Sequence, residues 1–406
     1  MTPSGADPNV AAWLDEHVDG LIAFRRNLHA HPELSGEEYA TTELVRERLA
    51  VAGLESRIFA SGTGLVCDLD PESDEAPTDR RFALRADLDA LAMHDDKDVA
   101  YRSQRDGVAH ACGHDVHTSI TLGAALYFAH HRDQIPGPLR FIFQPAEERV
   151  PGGALDVIAD GGIDDIDAVV GLHCDPKLDV GRVGLKAGPI SSAADMAEIT
   201  LSGPGGHTAR PEQTVDLVAI AASVITELPM RVRDALLSPD DAKVVFGSVQ
   251  AGDAANVIPS HCLLRASVRT PSHDVWDSLP DLIDGALRDL LLDTGAELTL
   301  DYTHGVPPVV NDPALIATVE AAAKGELGEE AITPAIQSWG GDDFAWFGRH
   351  CEAAYVRLGV HDPASNGPRL DLHAGHFDVD ERAIAVGVRV LTSVARTYFG
   401  TTARRR

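Results

Sequence analysis

The chain holds 406 residues, more than the ~250–300 at which a single hydrophobic core usually stops growing, so two domains or one domain with an insertion are expected. Hydrophobic residues make up 44% and charged residues 24%, a balance that excludes a mostly disordered, collagen-like or coiled-coil chain. With 34 Lys and Arg against 63 Asp and Glu the net charge is −29, and so acidic a surface repels phosphate backbones and argues against a nucleic-acid partner.

In chain order, the first segments are helical. Residues 10–30 place Trp13, Leu14, Val18, Leu21, Ile22 and Phe24 at helical spacing. A second helix over 37–52 stops at Gly53. Strands follow at 64–69 and 81–86, with the acidic, proline-containing stretch 68–80 as an exposed loop. Then come a helix at 118–130 and short apolar strands at 138–144 and 168–173. Strand, helix, strand in this order predicts an α/β domain with a mixed, mostly parallel sheet. Chemistry in such sheets collects at the C-terminal strand ends.

The middle of the chain changes character. Strands at 196–201, 243–251, 262–270 and 297–302 and helices at 214–230 and 273–295 run in the order βαββαβ, an α+β unit able to bury its own core. The expected organisation is therefore a first domain in two parts, 1–188 and 307–406, with an inserted domain at 189–306. The tail at 403–406 is expected to fray. No apolar run reaches the ~18 residues of a membrane span, and residues 1–20 lack the basic and apolar regions of a signal peptide. Five scattered cysteines, an odd number, predict a reducing cytoplasm rather than a disulfide framework.

The densest chemical cluster is HACGHDVH at 110–117. Thiolate and imidazole are ligands that divalent transition metals accept, zinc most readily. A helix start with surface histidines and one buried cysteine accounts for it equally well. QPAEE at 144–148 follows an apolar strand. Adjacent carboxylates there are costly unless something cationic is near, although an acidic helix start explains the pair if it is taken alone. His173 closes the run AVVGL, as a satisfied core histidine also would. Asp87 and Asp89 in RADLDAL, and DLHAGH at 371–376, are ambiguous singly. Their joint appearance with the strand-end clusters points to a metal site, in which one carboxylate ligates and its neighbour acts on a water. Other chemistries fail. There is no G-x-S-x-G elbow, P-loop or H-E-x-x-H motif, and the glycine-rich loop at 203–208 has Thr208 where a dinucleotide fingerprint needs its third glycine.

Taken together, RRNLHAHPELSGEE (25–38), ALRADLDAL (83–91), HACGHDVHT (110–118), FIFQPAEE (141–148), GLH (171–173), GGHTARP (205–211), NVIP (256–259), GGDDFAWF (340–347), and LH and FDVDE (372–381) resemble the dinuclear-metal amidohydrolases. That family includes hippurate hydrolases, auxin-amino acid hydrolases, aminoacylases and related carboxypeptidases. The resemblance implies that Cys112, His114, Glu148, His173 and His373 hold two divalent metal ions, with Cys112 between them. Zinc or manganese is expected, and cobalt or nickel would also fit. It implies Glu147 as general base, Asp89 as an orienting aspartate, and His207 and Asn256 as substrate-holding groups, His207 also assisting catalysis. The implied activity is hydrolysis of the amide bond of N-acyl amino acids by a metal-activated water. The two-part domain becomes the catalytic one, and the insertion a lid through which a cytoplasmic homodimer forms, without membrane attachment.

The sequence departs from the family pattern at Trp339, Asp342, His376, Ala92 and Met93. None is an implied ligand, so these positions bear on the pocket and on substrate choice. A dipeptidase, carboxypeptidase or deacetylase of the same family, or a catalytically silent binding protein on the same fold, are the alternatives. The intact pair Glu147-Glu148 speaks against the last.

Overall fold

The protein is described from a computed structural model covering residues 6–71, 80–238, 241–365 and 367–402. Most of the acidic stretch expected as a loop, and the tail expected to fray, lie outside these residues. The chain divides into two compact units. One comprises Met1–Ile190, Val310–Ile336 and Asp343–Arg406; the other comprises Ser191–Val309 and Gln337–Asp342.

The first unit is built on an eight-stranded sheet. Its order is Ser56–Ile58, Leu65–Leu69, Leu139–Gln144, Arg81–Asp87, Ile166–Asp179, Glu352–His361, Val183–Leu185 and Ile332–Pro334. The four central strands, from Leu139–Gln144 to Glu352–His361, run parallel. Antiparallel pairs flank them. The central strands read as near-continuous apolar runs because both faces are buried. Their register sets the site. Asp87 lies beside Gln144, Arg85 lies between Ile142 and Gly171, and His173 lies beside Arg357.

Helix Pro8–Ala30 starts where Asp7 accepts a hydrogen bond from the Asn9 N–H at 2.8 Å, with Pro8 in the first turn. It packs on helix His114–His130, which in turn packs on Arg382–Thr402. The helix expected at 118–130 starts four residues earlier. His114, Asp115 and His117 look like loop residues, but all are buried, so tertiary partners rather than apolar periodicity hold this first turn. Gly113 precedes it at φ 94°, and a Cβ there would sit 2.8 Å from Cys174 Sγ. Glycine is therefore required on both conformational and steric grounds.

In the second unit the strands run Lys243–Ala251, His261–Arg269, Ala194–Ser202 and Glu297–Val306, all antiparallel. Helices Leu217–Ala235 and His273–Leu291 cover one face, capped by Asp216 and Ser272. Trp276, Leu279, Ile283, Leu287 and Leu291 fall on one side of the second helix. Leu279, Ile283, Leu287 and Leu291 meet Ile199, Leu201 and Leu264 from the sheet in a single apolar cluster.

Candidate metal centre

The first unit gathers residues from five separate stretches. Asp87 ends the strand Arg81–Asp87, and Asp89 follows it. Cys112 and His114 stand at the start of helix His114–His130. Glu147 and Glu148 occupy the turn after strand Leu139–Gln144, His173 lies within Ile166–Asp179, and His373 sits between Glu352–His361 and Arg382–Thr402. Ligand atoms of Cys112, His114 and His173 lie within 4.8 Å of one another, as do those of Cys112, Glu148 and His373, and those of His114, Glu147 and Glu148. Cys112 belongs to the first two sets, so all five expected ligands and Glu147 are brought together.

Hydrogen bonds decide which imidazole nitrogens are available. His114 Nδ1 lies 2.9 Å from the Asp89 carbonyl oxygen, and His173 Nδ1 lies 2.7 Å from that of Cys174. A carbonyl oxygen only accepts, so each Nδ1 carries a proton and donates it there, and each Nε2 is the nitrogen left to face the cluster. His173 Nε2 is 3.5 Å from Cys112 Sγ. His114 Nε2 is buried without a hydrogen-bond partner, 3.8 Å from Asp87 and Glu147 and 3.9 Å from Glu148. His373 Nε2 lies 3.2 Å from Glu148 Oε1.

Burial pushes the Cys112 thiol well up, so a cation is what would favour its thiolate. Burial, assisted by Arg357, drives His173 well down, which keeps that ring neutral as a ligand must be. Thiolate, imidazole and carboxylate around an orphaned Nε2 fit divalent transition-metal ions.

Not every member of HACGHDVH joins the cluster. His117 donates from Nδ1 to Asp87 Oδ1 at 2.7 Å and accepts the Cys174 N–H on Nε2 at 2.8 Å. With both nitrogens engaged it braces Asp87. His110 is buried with neither nitrogen hydrogen-bonded, and burial pushes it down to about 3.

A second layer of charge holds this cluster. Burial alone would raise the Asp87 carboxyl, but His114, Arg85 and His117 outweigh it and hold it well below the usual carboxylate range. Arg85 reaches Asp87 at 2.5 Å, Asp343 at 3.0 Å and Gln144 at 2.8 Å. Asp343 accepts from Gln144 Nε2 and from the Ala154 N–H. A Cβ on Gly152, at φ 98°, would lie 2.3 Å from the Asp343 side chain, so only glycine lets the turn close on it. Asp89 accepts from Ser35 Oγ at 2.6 Å and from the Glu148 N–H at 2.9 Å. Two non-glycine residues here, Ala146 at φ 56° and His373 at φ 59°, are left-handed, a strain of about 1–3 kcal/mol each that the surroundings must hold in place.

Sequence reasoning singled out neither Glu38 nor Asp343 and left Asp87 ambiguous. Asp87 had a usable signal, a carboxylate at a buried strand end. Glu38, in SGEE, is indistinguishable from a surface turn.

His207 and Asn256 belong to the second unit. His207 is exposed on the short strand Gly206–His207, which pairs with Val257–Ile258. The Thr208 N–H donates to the Asn256 carbonyl at 3.2 Å. The two expected substrate-holding residues are thus neighbours on one surface.

The profile of peptidase family M20/M25/M40 matches residues 83–397. Among curated proteins, "Putative glutamate–cysteine ligase 2-3" of Rhodococcus jostii is 43% identical over 377 residues, 93% of this chain. The match covers 46% of that protein, so the chain spans about half its length. N-acetyl-L-cysteine deacetylase of Bacillus subtilis is 36% identical over 365 residues, 90% of this chain and 84% of the relative. Among solved structures, the YXEP protein of Bacillus subtilis, a dinuclear metal binding peptidase from the M20 family, superposes with a TM-score of 0.83 at 30% identity. That match covers 95% of this chain and 99% of the other.

Proposed function

The chain belongs to peptidase family M20/M25/M40, whose members here are hydrolases acting on amide bonds, and from that premise we propose that it cleaves the amide of N-acyl amino acids. The observation that carries this reading is the pair Glu147-Glu148 beside His114 Nε2, 3.8 and 3.9 Å away. One carboxylate is there to ligate and the other to move a proton. Cys112, His114, Glu148, His173 and His373 would hold two divalent cations. Zinc, manganese, cobalt and nickel all suit such donors, and occupancy follows availability as well as geometry. Bound there, the cations supply Lewis acidity and lower the pKa of water.

The chain's own residues do the rest. Glu147 takes the proton of the attacking water and delivers it to the leaving amine nitrogen. Asp89, bonded to the Glu148 N–H and beside the ring of His114, keeps ligand and base in register. His207 stabilises the developing oxyanion, and Asn256 holds the carboxylate of the amino-acid half. N-acetylcysteine is the first substrate to try, because a 36% identical relative is named for its deacetylation. It is itself an N-acyl amino acid, so the aminoacylase and deacetylase readings meet there.

The second unit serves as lid and dimer surface in this proposal. Its edge strand Lys243–Ala251 pairs with one neighbour among the described residues and exposes Val245 and Val249, as a strand-pairing surface would. No described helix is long and apolar enough to cross a membrane, and Cys67, Cys112, Cys174, Cys262 and Cys351 are all unpaired. Both fit the proposed cytoplasmic location.

The test is a panel of N-acetyl and N-benzoyl amino acids, including N-acetylcysteine, together with dipeptides. Each is incubated with protein loaded separately with zinc, manganese, cobalt or nickel, and the products are read by mass spectrometry. Release of free amino acid from N-acyl substrates is expected. Cleavage of dipeptides only, or of nothing with any metal, would refute the proposal.

A further inference from the structure

Glu147 projects from a turn whose backbone is bracketed by two carboxylates. Immediately before it, the Ala146 N–H donates to Glu38 Oε1 at 2.8 Å; immediately after it, the Glu148 N–H donates to Asp89 Oδ2 at 2.9 Å. Ala146 is left-handed at φ 56° and 2% exposed. A non-glycine residue keeps such a conformation only where its surroundings impose it. Its carbonyl accepts from the Gly153 N–H at 2.9 Å, so the turn is pinned at both of its backbone polar groups.

Glu38 is well placed to impose that conformation. Its side chain is fully buried. Oε1 also accepts the Gly36 N–H at 2.8 Å, while Oε2 has no hydrogen-bond partner. One oxygen therefore does all the holding. The residue's own backbone is tied down as well, since its carbonyl accepts from the N–H and hydroxyl of Thr42 at 2.9 and 2.6 Å. Its segment is clipped to the strand end by the Ala90 N–H on the Glu33 carbonyl at 2.8 Å. A buried carboxylate serving as an acceptor for two backbone donors is costly to place, and nothing in helix Tyr39–Val51 requires it, because Glu38 makes no side-chain cap there.

We propose that Glu38 is a positioning residue for Glu147: its Oε1 fixes the left-handed turn at Ala146 and so aims Glu147 into the cluster, while Asp89 holds the Glu148 N–H independently. This rests on the reading of Glu147 as the base. The role depends on the reach of one acceptor oxygen and not on charge. Glu38→Ala removes the acceptor, Glu38→Asp keeps the charge but falls a methylene short, and Glu38→Gln keeps an oxygen in place.

Steady-state kinetics, elemental analysis and amide hydrogen exchange of the metal-free protein test the proposal together. The Ala and Asp variants are expected to lose 10- to 100-fold in kcat, the scale of a displacement of about 1 Å, with KM within threefold and metal stoichiometry unchanged. Exchange should rise at 146–153 and not in helix Pro8–Ala30. The Gln variant should recover at least tenfold of the kcat lost. Adding Ala146→Gly, which relieves the left-handed strain, should restore part of kcat to the Asp variant. Should Glu38→Ala fail to fold, the Asp and Gln variants carry the same contrast.

Wild-type kcat or unchanged exchange in the Asp variant, no recovery with Gln, or metal lost in step with kcat would each overturn the proposal. Normal turnover by Glu147→Gln would sink the base assignment instead, and the exchange at 146–153 would still report on Glu38 alone.

Discussion

In the second unit, Ile199, Leu201 and Leu264 of the sheet meet Leu279, Ile283 and Leu287 of a helix, and among the described residues only Asp195 and Asp342 are charged and buried. Asp195 is satisfied locally by the Gly305 N–H and the Tyr302 hydroxyl, both at 2.8 Å. The first unit has an equally apolar core, yet it also buries Arg25, Glu38, Arg85, Asp87, Asp89, Asp95, Lys97, Asp115, Glu326 and Asp343, and five histidines. A sheet covered by helices needs none of these groups to be stable, and each is costly to desolvate. Most of them surround the strand ends where Cys112, His114 and Glu148 meet. Buried charge in excess of what packing requires therefore marks the candidate metal centre, whereas the core of the second unit is almost wholly apolar.

Four experiments probe that contrast. The largest effect is expected at Glu147. Glu147→Gln should retain its metal and lose roughly 10²–10⁴ or more in kcat, read by kinetics alongside elemental analysis. Near-normal turnover would remove the functional side of the comparison. Cys112→Ala should lose metal occupancy while the protein stays folded, measured as metal per chain after dialysis. Full loading would contradict the ligand assignment.

In the other unit, Leu264→Ala should cost about 2–5 kcal/mol of stability in chemical denaturation and leave metal content unchanged. A metal loss there would blur the division between the two regions. The smallest effect concerns Glu38, whose carboxyl is pushed up to about 7 by burial and then by Asp89. The folded state holds that proton more tightly than the unfolded chain, where the value is about 4.3. Glu38 thus favours folding most below ~4.3, and the advantage is lost as pH rises through 7. Glu38→Gln does not ionise, so its stability relative to the wild type should improve by about 1–3 kcal/mol between pH 5 and pH 8 in the metal-free protein. A pH-independent difference would show that Glu38 does not titrate in this range.

Much of the fold was legible locally. Lys243–Ala251 matches its expected range, and the helix over 10–30 is found as Pro8–Ala30, because both follow from apolar periodicity alone. Errors fall where local pattern and environment disagree. The strand expected at 168–173 runs over Ile166–Asp179, its far end polar and unlike a buried strand. The helix expected to reach Gly295 ends at Leu291, since its apolar stripe stops before the glycine does. His29 is buried between Asp115 and Asp95, 2.7 and 3.2 Å away, a bridge its sequence neighbours do not announce.

The amino-acid order by itself determined the chemical types on offer: a thiol, imidazoles and paired carboxylates, each next to an apolar run that would bury it. These are local properties, carried by composition and by spacing within a few residues. Only the tertiary structure decided which of them share a centre. Glu38 meets Ala146 across 108 residues, and Gln144 meets Asp343 across 199, contacts set by sheet register and loop closure. The same long-range contacts chose the protonated nitrogen of His114, set aside His117, and imposed the left-handed turn at Ala146. A local pattern cannot encode them, because each depends on a partner supplied by a distant segment of the chain.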